Sequence, residues 1–173
     1  MSRNVIRNAQ LGEDLFQAVV DGNTDRATFL IRLRADIECK DNLGKTPLIK
    51  AALTGNVKML ALLLGAGARL ENRDRKGRTA LFWAAGLCHL DATKFLISQG
   101  ADINVQDSEG VSPILIAARF TNKRIVDYLV QAGADLSIMP FDNKDLSHWV
   151  TEKKHTFPSD YMKCALELQE KLK

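Results

Sequence analysis

Three stretches decide the fold: DNLGKTPLIKAALTGN from Asp41, DRKGRTALFWAAGLCH from Asp74 and DSEGVSPILIAARFTN from Asp107. They align without a gap at a period of 33 residues, and each continues through LL, LI or LV into GAGARL, SQGADI or QAGADL. A repeat of this length means stacked supersecondary units, none of which can bury its apolar face alone. The architecture this predicts is an all-α solenoid.

Each unit can be read from its residues. Asp41 with Gly44, Asp74 with Gly77 and Asp107 with Gly110 place a turn former first and glycine fourth in a tight, hairpin-like turn. Thr46-Pro47 and Ser112-Pro113 then set an N-cap hydroxyl before a proline that needs no N–H partner at the first helical position. Ala51-Ala52, Ala84-Ala85 and Ala117-Ala118 keep that first helix thin, and Gly55 lets the chain reverse. The second helix carries an apolar stripe, as in Leu60, Leu63 and Leu64 or Val126, Leu129 and Val130. Gly67, Gly100 and Gly133 stand where a left-handed C-terminal residue is wanted.

These units resemble ankyrin repeats, whose pattern is a turn, Thr-Pro-Leu-His opening a first helix, Ala-Ala, a Gly-His turn and a leucine-rich second helix ending Gly-Ala-Asp. The resemblance implies about five repeats in a single domain over 1–173. Residues 8–40 form an N-terminal capping repeat with Glu13-Asp14 in place of Thr-Pro, and 41–73, 74–106 and 107–139 are regular repeats. A degenerate C-terminal capping repeat, 140–173, carries helices expected around 145–152 and from about Ser159. There are departures from the pattern. Ile49, Phe82 and Leu115 replace its first-helix histidine, so apolar contact is expected to substitute for a polar bridge between repeats. Cys88 and Thr121 stand where glycine usually makes the turn between helices, which predicts that these turns are strained or reshaped.

Composition excludes several classes of protein. With 46% apolar residues and four prolines among 173, the chain is not intrinsically disordered. Its longest apolar stretch, Met59 to Ala68, is too short to span a bilayer, and the first ten residues lack the apolar core of a signal peptide. A cytoplasmic or nuclear location is expected. Cys39, Cys88 and Cys164 are scattered and odd in number, which suits reduced thiols. Phosphate-loop, dinucleotide, zinc-protease and C-x-x-C motifs are all missing. Cys88-His89 are neighbours that do not face each other as a catalytic dyad must, and His89 is expected to hold its turn as Asn23, Asn56 and Asn122 do. His148 and His155 have no third ligand at useful spacing. No enzyme, cofactor or metal site is expected.

What remains is surface. The resemblance implies that turn tips and first helices line one concave face that takes a protein partner. The tips carry Lys40, Asn42, Leu43 and Lys45, then Arg73, Arg75, Lys76 and Arg78, then Gln106, Ser108, Glu109 and Val111. From Arg69 to Arg78 five positive and two negative residues leave +3, the net charge of the whole chain. This favours an acidic partner, with Leu53, Leu87, Arg119 and Phe120, at the ends of the first helices, adding a partly apolar stripe beside the basic tips. Trp83 is expected to pack between repeats, with a partner anchor as the alternative. The four basic residues Arg73 to Arg78 are expected to serve binding and not folding. The resemblance implies an adaptor, inhibitor or assembly-chaperone role, and a monomer is expected. The alternatives are polyanion or nucleic-acid binding through 69–78, for which no aromatic stacking platform is evident, and a host-directed effector of an intracellular bacterium. Finally, Leu96, Asp102 and Asn104 resemble the spacing that an asparaginyl hydroxylase accepts in such repeats, which makes Asn104 a candidate hydroxylation site.

Overall fold

In the computed structural model of the chain, residues 3–120 and 122–135 are described. They form eight helices: α1 (Arg3–Val20), α2 (Thr24–Arg32), α3 (Pro47–Leu53), α4 (Val57–Gly65), α5 (Ala80–Gly86), α6 (Leu90–Ser98), α7 (Pro113–Arg119) and α8 (Lys123–Gln131). No strand occurs among the described residues. The expected capping helices of 140–173, the Thr121 turn, His148, His155 and Cys164 lie outside them. Helices pair as α1 with α2, α3 with α4, α5 with α6 and α7 with α8, and each pair packs on the next through its first helices and its second helices. The result is an all-α solenoid.

Local chemistry sets the helix boundaries. Thr46 and Thr79 accept from the backbone N–H of Ile49 and Phe82, at 3.4 and 3.3 Å, and open α3 and α5. Pro47 and Pro113 occupy first-turn positions, as expected from their missing N–H. Asn23, Asn56 and Asn122 cap α2, α4 and α8 through bonds of 2.9, 3.0 and 3.2 Å. The first pair departs from the others, because α1 is 18 residues long where α3, α5 and α7 have 7. At 8–11 the chain reads Asn-Ala-Gln-Leu, with no glycine to turn it, so the helix runs on toward the N-terminus.

The core is continuous along the stack. Leu15, Ala18, Leu48, Ala51, Ala52, Met59, Leu60, Leu63, Leu81 and Leu96 are buried in one cluster, and Phe82, Ala85, Ile114, Ala117, Ile125 and Leu129 in the next. Ile49 and Phe82, two of the residues replacing the pattern's histidine, are fully buried, so apolar contact does substitute for the polar bridge there. Among the described residues two non-glycine residues have left-handed backbones: Cys88 at φ 65°, strained and not reshaped, and Arg34 at φ 66°, in the place of Gly67, Gly100 and Gly133. Each costs roughly 1–2 kcal/mol relative to glycine.

The tips bond to one another through the backbone. Arg75 N–H donates to the Leu43 carbonyl at 3.0 Å, and Ser108 N–H to that of Lys76 at 2.8 Å. Such closeness requires Gly44: its φ is +76°, and a Cβ there would lie 2.9 Å from the Arg75 nitrogen. Gly44→Ala is therefore expected to destabilise the stack by about 2 kcal/mol or more through strain and loss of this contact. Chemical denaturation measures it, and an unchanged midpoint would show that the tips are not coupled in this way.

Candidate functional site

The three tips share one scaffold. Asp41 Oδ1 accepts from the N–H groups of Leu43 and Lys45, both at 2.8 Å. Asp74 does the same for Lys76 and Arg78, and Asp107 for Glu109 and Val111. Asp74 and Asp107 are buried. These carboxylates thus fix loop shape, and the side chains between them form the outer surface.

On that surface the expected residues separate into groups. Lys40, Asn42, Leu43, Arg73, Arg75, Lys76, Ser108 and Glu109 are exposed, and Lys45 and Gln106 are half-buried. Several of the cations already have partners. The Arg73 guanidinium donates to the Gln106 carbonyl at 3.2 Å, and Lys76 lies 3.8 Å from Glu109. Arg78 Nε donates to Asp107 Oδ2 at 3.1 Å, with side-chain exposures of 20% and 1%. The expectation that all four basic residues are dispensable for folding is corrected at Arg78, because that arginine neutralises a buried carboxylate of the next repeat.

Trp83, in α5, lies at the centre of this face. Its ring is half-buried and touches both core clusters, so inter-repeat packing is part of its role. The indole N–H donates to Asp74 Oδ2 at 3.0 Å. Lys45 Nζ sits 4.5 Å from the ring centroid and the Arg78 guanidinium carbon 5.2 Å from it, so cations from two successive repeats converge on one aromatic surface. Sequence reading missed this meeting. Its only signal was that Lys45 and Arg78 are one period apart.

The far-end stripe is shorter than expected. Leu87 and Phe120 occupy equivalent positions at the ends of α5 and α7 and are 43% and 54% exposed. Leu53 is one position out of their register and packs partly against the core, with Thr54 in the equivalent place. Arg119 is half-buried. The apolar stripe therefore consists of two residues, not three.

Two further expectations are clarified by geometry. His89 holds the turn differently from the asparagines. It makes no side-chain bond to the start of α6, and its Nε2 pairs with the Leu53 carbonyl of the preceding repeat at 3.0 Å. A Cβ at Gly55 would lie 2.5 Å from its Nδ1, so glycine there is needed for the histidine to pass. Asn104 belongs to a structural ladder. Its Oδ1 accepts from Asp135 N–H at 2.8 Å, as Glu71 accepts from Asp102 and Glu38 from Arg69 one and two repeats earlier.

Among the described residues, no group of His, Cys, Asp and Glu is arranged to hold a metal, and no helix is long and apolar enough to cross a membrane. Cys39 donates to the Gly12 carbonyl at 3.2 Å. Burial, reinforced by Asp36 and Glu38, raises its thiol from 9.0 to about 11. Cys88 is exposed.

A model of the family described as ankyrin repeats (3 copies) matches residues 15–107 and 77–140. No curated protein matches the chain.

Two measurements test this description. Arg78→Ser is expected to cost about 2 kcal/mol, as for a lost bond to a charged group, whereas Arg75→Ser changes stability by less than about 0.5 kcal/mol. Equal melting points for the two variants would contradict the Arg78 assignment. The raised pKa of Cys39 favours its thiol in the folded state. Its contribution to stability is whole below pH 9 and lost as pH rises through about 11. At pH 8 iodoacetamide should label Cys88 well before Cys39, read peptide by peptide by mass spectrometry. Similar rates would show that Cys39 is neither shielded nor shifted.

Proposed function

The chain belongs to the ankyrin-repeat family, and from that premise we propose that it is a non-catalytic binding module that takes a protein partner on its concave face. Ankyrin repeats generally mediate protein–protein interactions. In this reading the chain acts as a monomer in the cytoplasm or nucleus, as an adaptor, inhibitor or assembly chaperone. The observation carrying it is the contrast between fixed loops and free side chains. The aspartates and tip-to-tip bonds immobilise the backbone, while Lys40, Asn42, Leu43, Arg75 and Ser108 remain exposed. A preorganised surface loses little entropy on association. Leu87 and Phe120 add exposed apolar area at the other edge of the first helices.

A polyanion reading is less well supported. Lys76 and Arg78 are paired with the carboxylates of Glu109 and Asp107, which reduces the charge offered to phosphates. The Trp83 ring is half-buried beneath two cations. Hydroxylation at Asn104 belongs to the same reading as a modification of the ladder. Treatment with an asparaginyl hydroxylase and mass spectrometry of its peptide tests it.

The test of the main reading is site-directed photo-crosslinking in an extract. A probe at Asn42 or Ser108 on the tips is expected to yield discrete protein adducts that excess unlabelled chain competes away. A probe at Lys58 or Asp91 on the second helices yields none. Equal yields from both sets would refute a concave binding face.

A further inference from the structure

Basic residues in the tips repeat with the period of the stack, but for two units only. Lys40 is followed one period later by Arg73, and Lys45 by Arg78. The next positions in these columns are Gln106 and Val111, and Glu109 adds a negative charge to that third tip. A ligand crossing the tips therefore meets a cation at each of two successive units and none at the third. Lys45 and Arg78 also lie on the same indole, which gives the paired positive charge a fixed aromatic base. Arg75 adds an exposed guanidinium on the same tip as Arg78. The buried carboxylates Asp74 and Asp107 face the interior side of this group, bonded to Trp83 and Arg78.

Spacing specifies the complement. Packed helices stand about 8–10 Å apart, which sets the distance from one unit to the next. A polyproline-type segment rises about 3.1 Å per residue with three residues per turn. Residues i and i+3 of such a segment point the same way and are about 9 Å apart, matching the step between units. A β-strand lacks this match, because its residues i and i+3 point to opposite sides.

We propose that the face formed by Lys40, Lys45, Arg73, Arg75 and Trp83 takes an extended, polyproline-type acidic segment of a partner protein, with carboxylates at i and i+3 and no requirement for a third. This rests on the reading that the concave face binds protein. It specifies the chemistry of the segment bound there.

The probes are three synthetic peptides and the full-length chain. The first is acetyl-Glu-Pro-Pro-Glu-Pro-Pro-amide. The second, acetyl-Pro-Pro-Glu-Glu-Pro-Pro-amide, has the same composition with adjacent carboxylates, and the third extends the first by one more Glu at i+6. Binding is read by NMR from the Trp83 indole N–H, assigned with a Trp149→Phe variant, and from the Trp83 backbone amide as a second reporter that needs no variant. The first peptide is expected to shift both signals, with affinity at least about fivefold above that of the second and about fivefold lost in Lys45→Gln, the scale of about 1 kcal/mol that a favourable exposed charge pair reaches. The third should bind no more than about twofold better than the first. Equal affinity for the first two peptides, indifference to Lys45→Gln, or a full further gain from the third carboxylate would each overturn the proposal. So would tighter binding of an oligothymidylate than of the first peptide. Failure here with tip-specific crosslinking intact removes only the acidic-segment assignment, whereas loss of tip-specific crosslinking removes the concave-face reading itself.

Discussion

No unit of this chain closes its own apolar face, and every other property of the structure depends on the contact between neighbours that results. The Ala-Ala pairs of α3, α5 and α7 are fully or nearly fully buried, so the first helices approach closely enough for their loops to meet. Once they meet, the backbone bonds from Arg75 to Leu43 and from Ser108 to Lys76 fix one tip on the next. At the other side of each unit, Glu38, Glu71 and Asn104 reach forward to the N–H groups of Arg69, Asp102 and Asp135. Apolar stacking supplies most of the stability, and these polar rungs set the register. The tip surface is therefore a consequence of packing, since the loops that display it have no rigid core of their own.

Charge on that face is divided between structure and display. Asp41, Asp74 and Asp107 use one carboxylate oxygen each to hold two backbone N–H groups, and the latter two use the other oxygen for Trp83 and Arg78. Counting residues from Arg69 to Arg78 gives a basic segment, yet Arg78 is largely committed to Asp107. Lys45 lies outside that segment and still belongs to the same cluster through Trp83. The effective positive surface is thus displaced toward the preceding unit. Position in the sequence alone does not show this.

Much of the fold was legible because its determinants are local and periodic. Thr46-Pro47, Thr79 and Ser112-Pro113 mark helix starts, and Asp41 with Gly44 marks a turn, whatever the rest of the chain does. The left-handed backbone at Cys88 was legible by comparison with Gly22 and Gly55. Arg34 was equally open to that comparison with Gly67. What escaped depends on contacts between units. His89 occupies an asparagine position, and a sequence register cannot reveal that its ring reaches back to Leu53. Leu53 itself was assigned to the exposed stripe because it is apolar and ends a first helix, although the positions matching Leu87 are Asp21, Thr54 and Phe120. The periodicity identified the face, but the side-chain pairings on it, from Lys45 to Trp83 and from Arg78 to Asp107, arise only when units are stacked.

Those pairings link recognition to stability in an unequal way. Trp83, Asp74 and Arg78 join loop, helix and neighbouring unit, so any ligand contacting them meets groups that are already held in place and cost little to order. The same commitment means that altering them disturbs the stack as well as the surface. Lys40, Lys45 and Arg75 have no ion-pair partner within 4 Å among the described residues, and they project from backbone that others fix. Substitution at these three therefore changes the charge of the surface without loss of the fold, and of them Lys45 rests on the Trp83 ring. A solenoid whose adjustable charges stand on loops fixed by other residues can thus alter its surface while keeping its geometry.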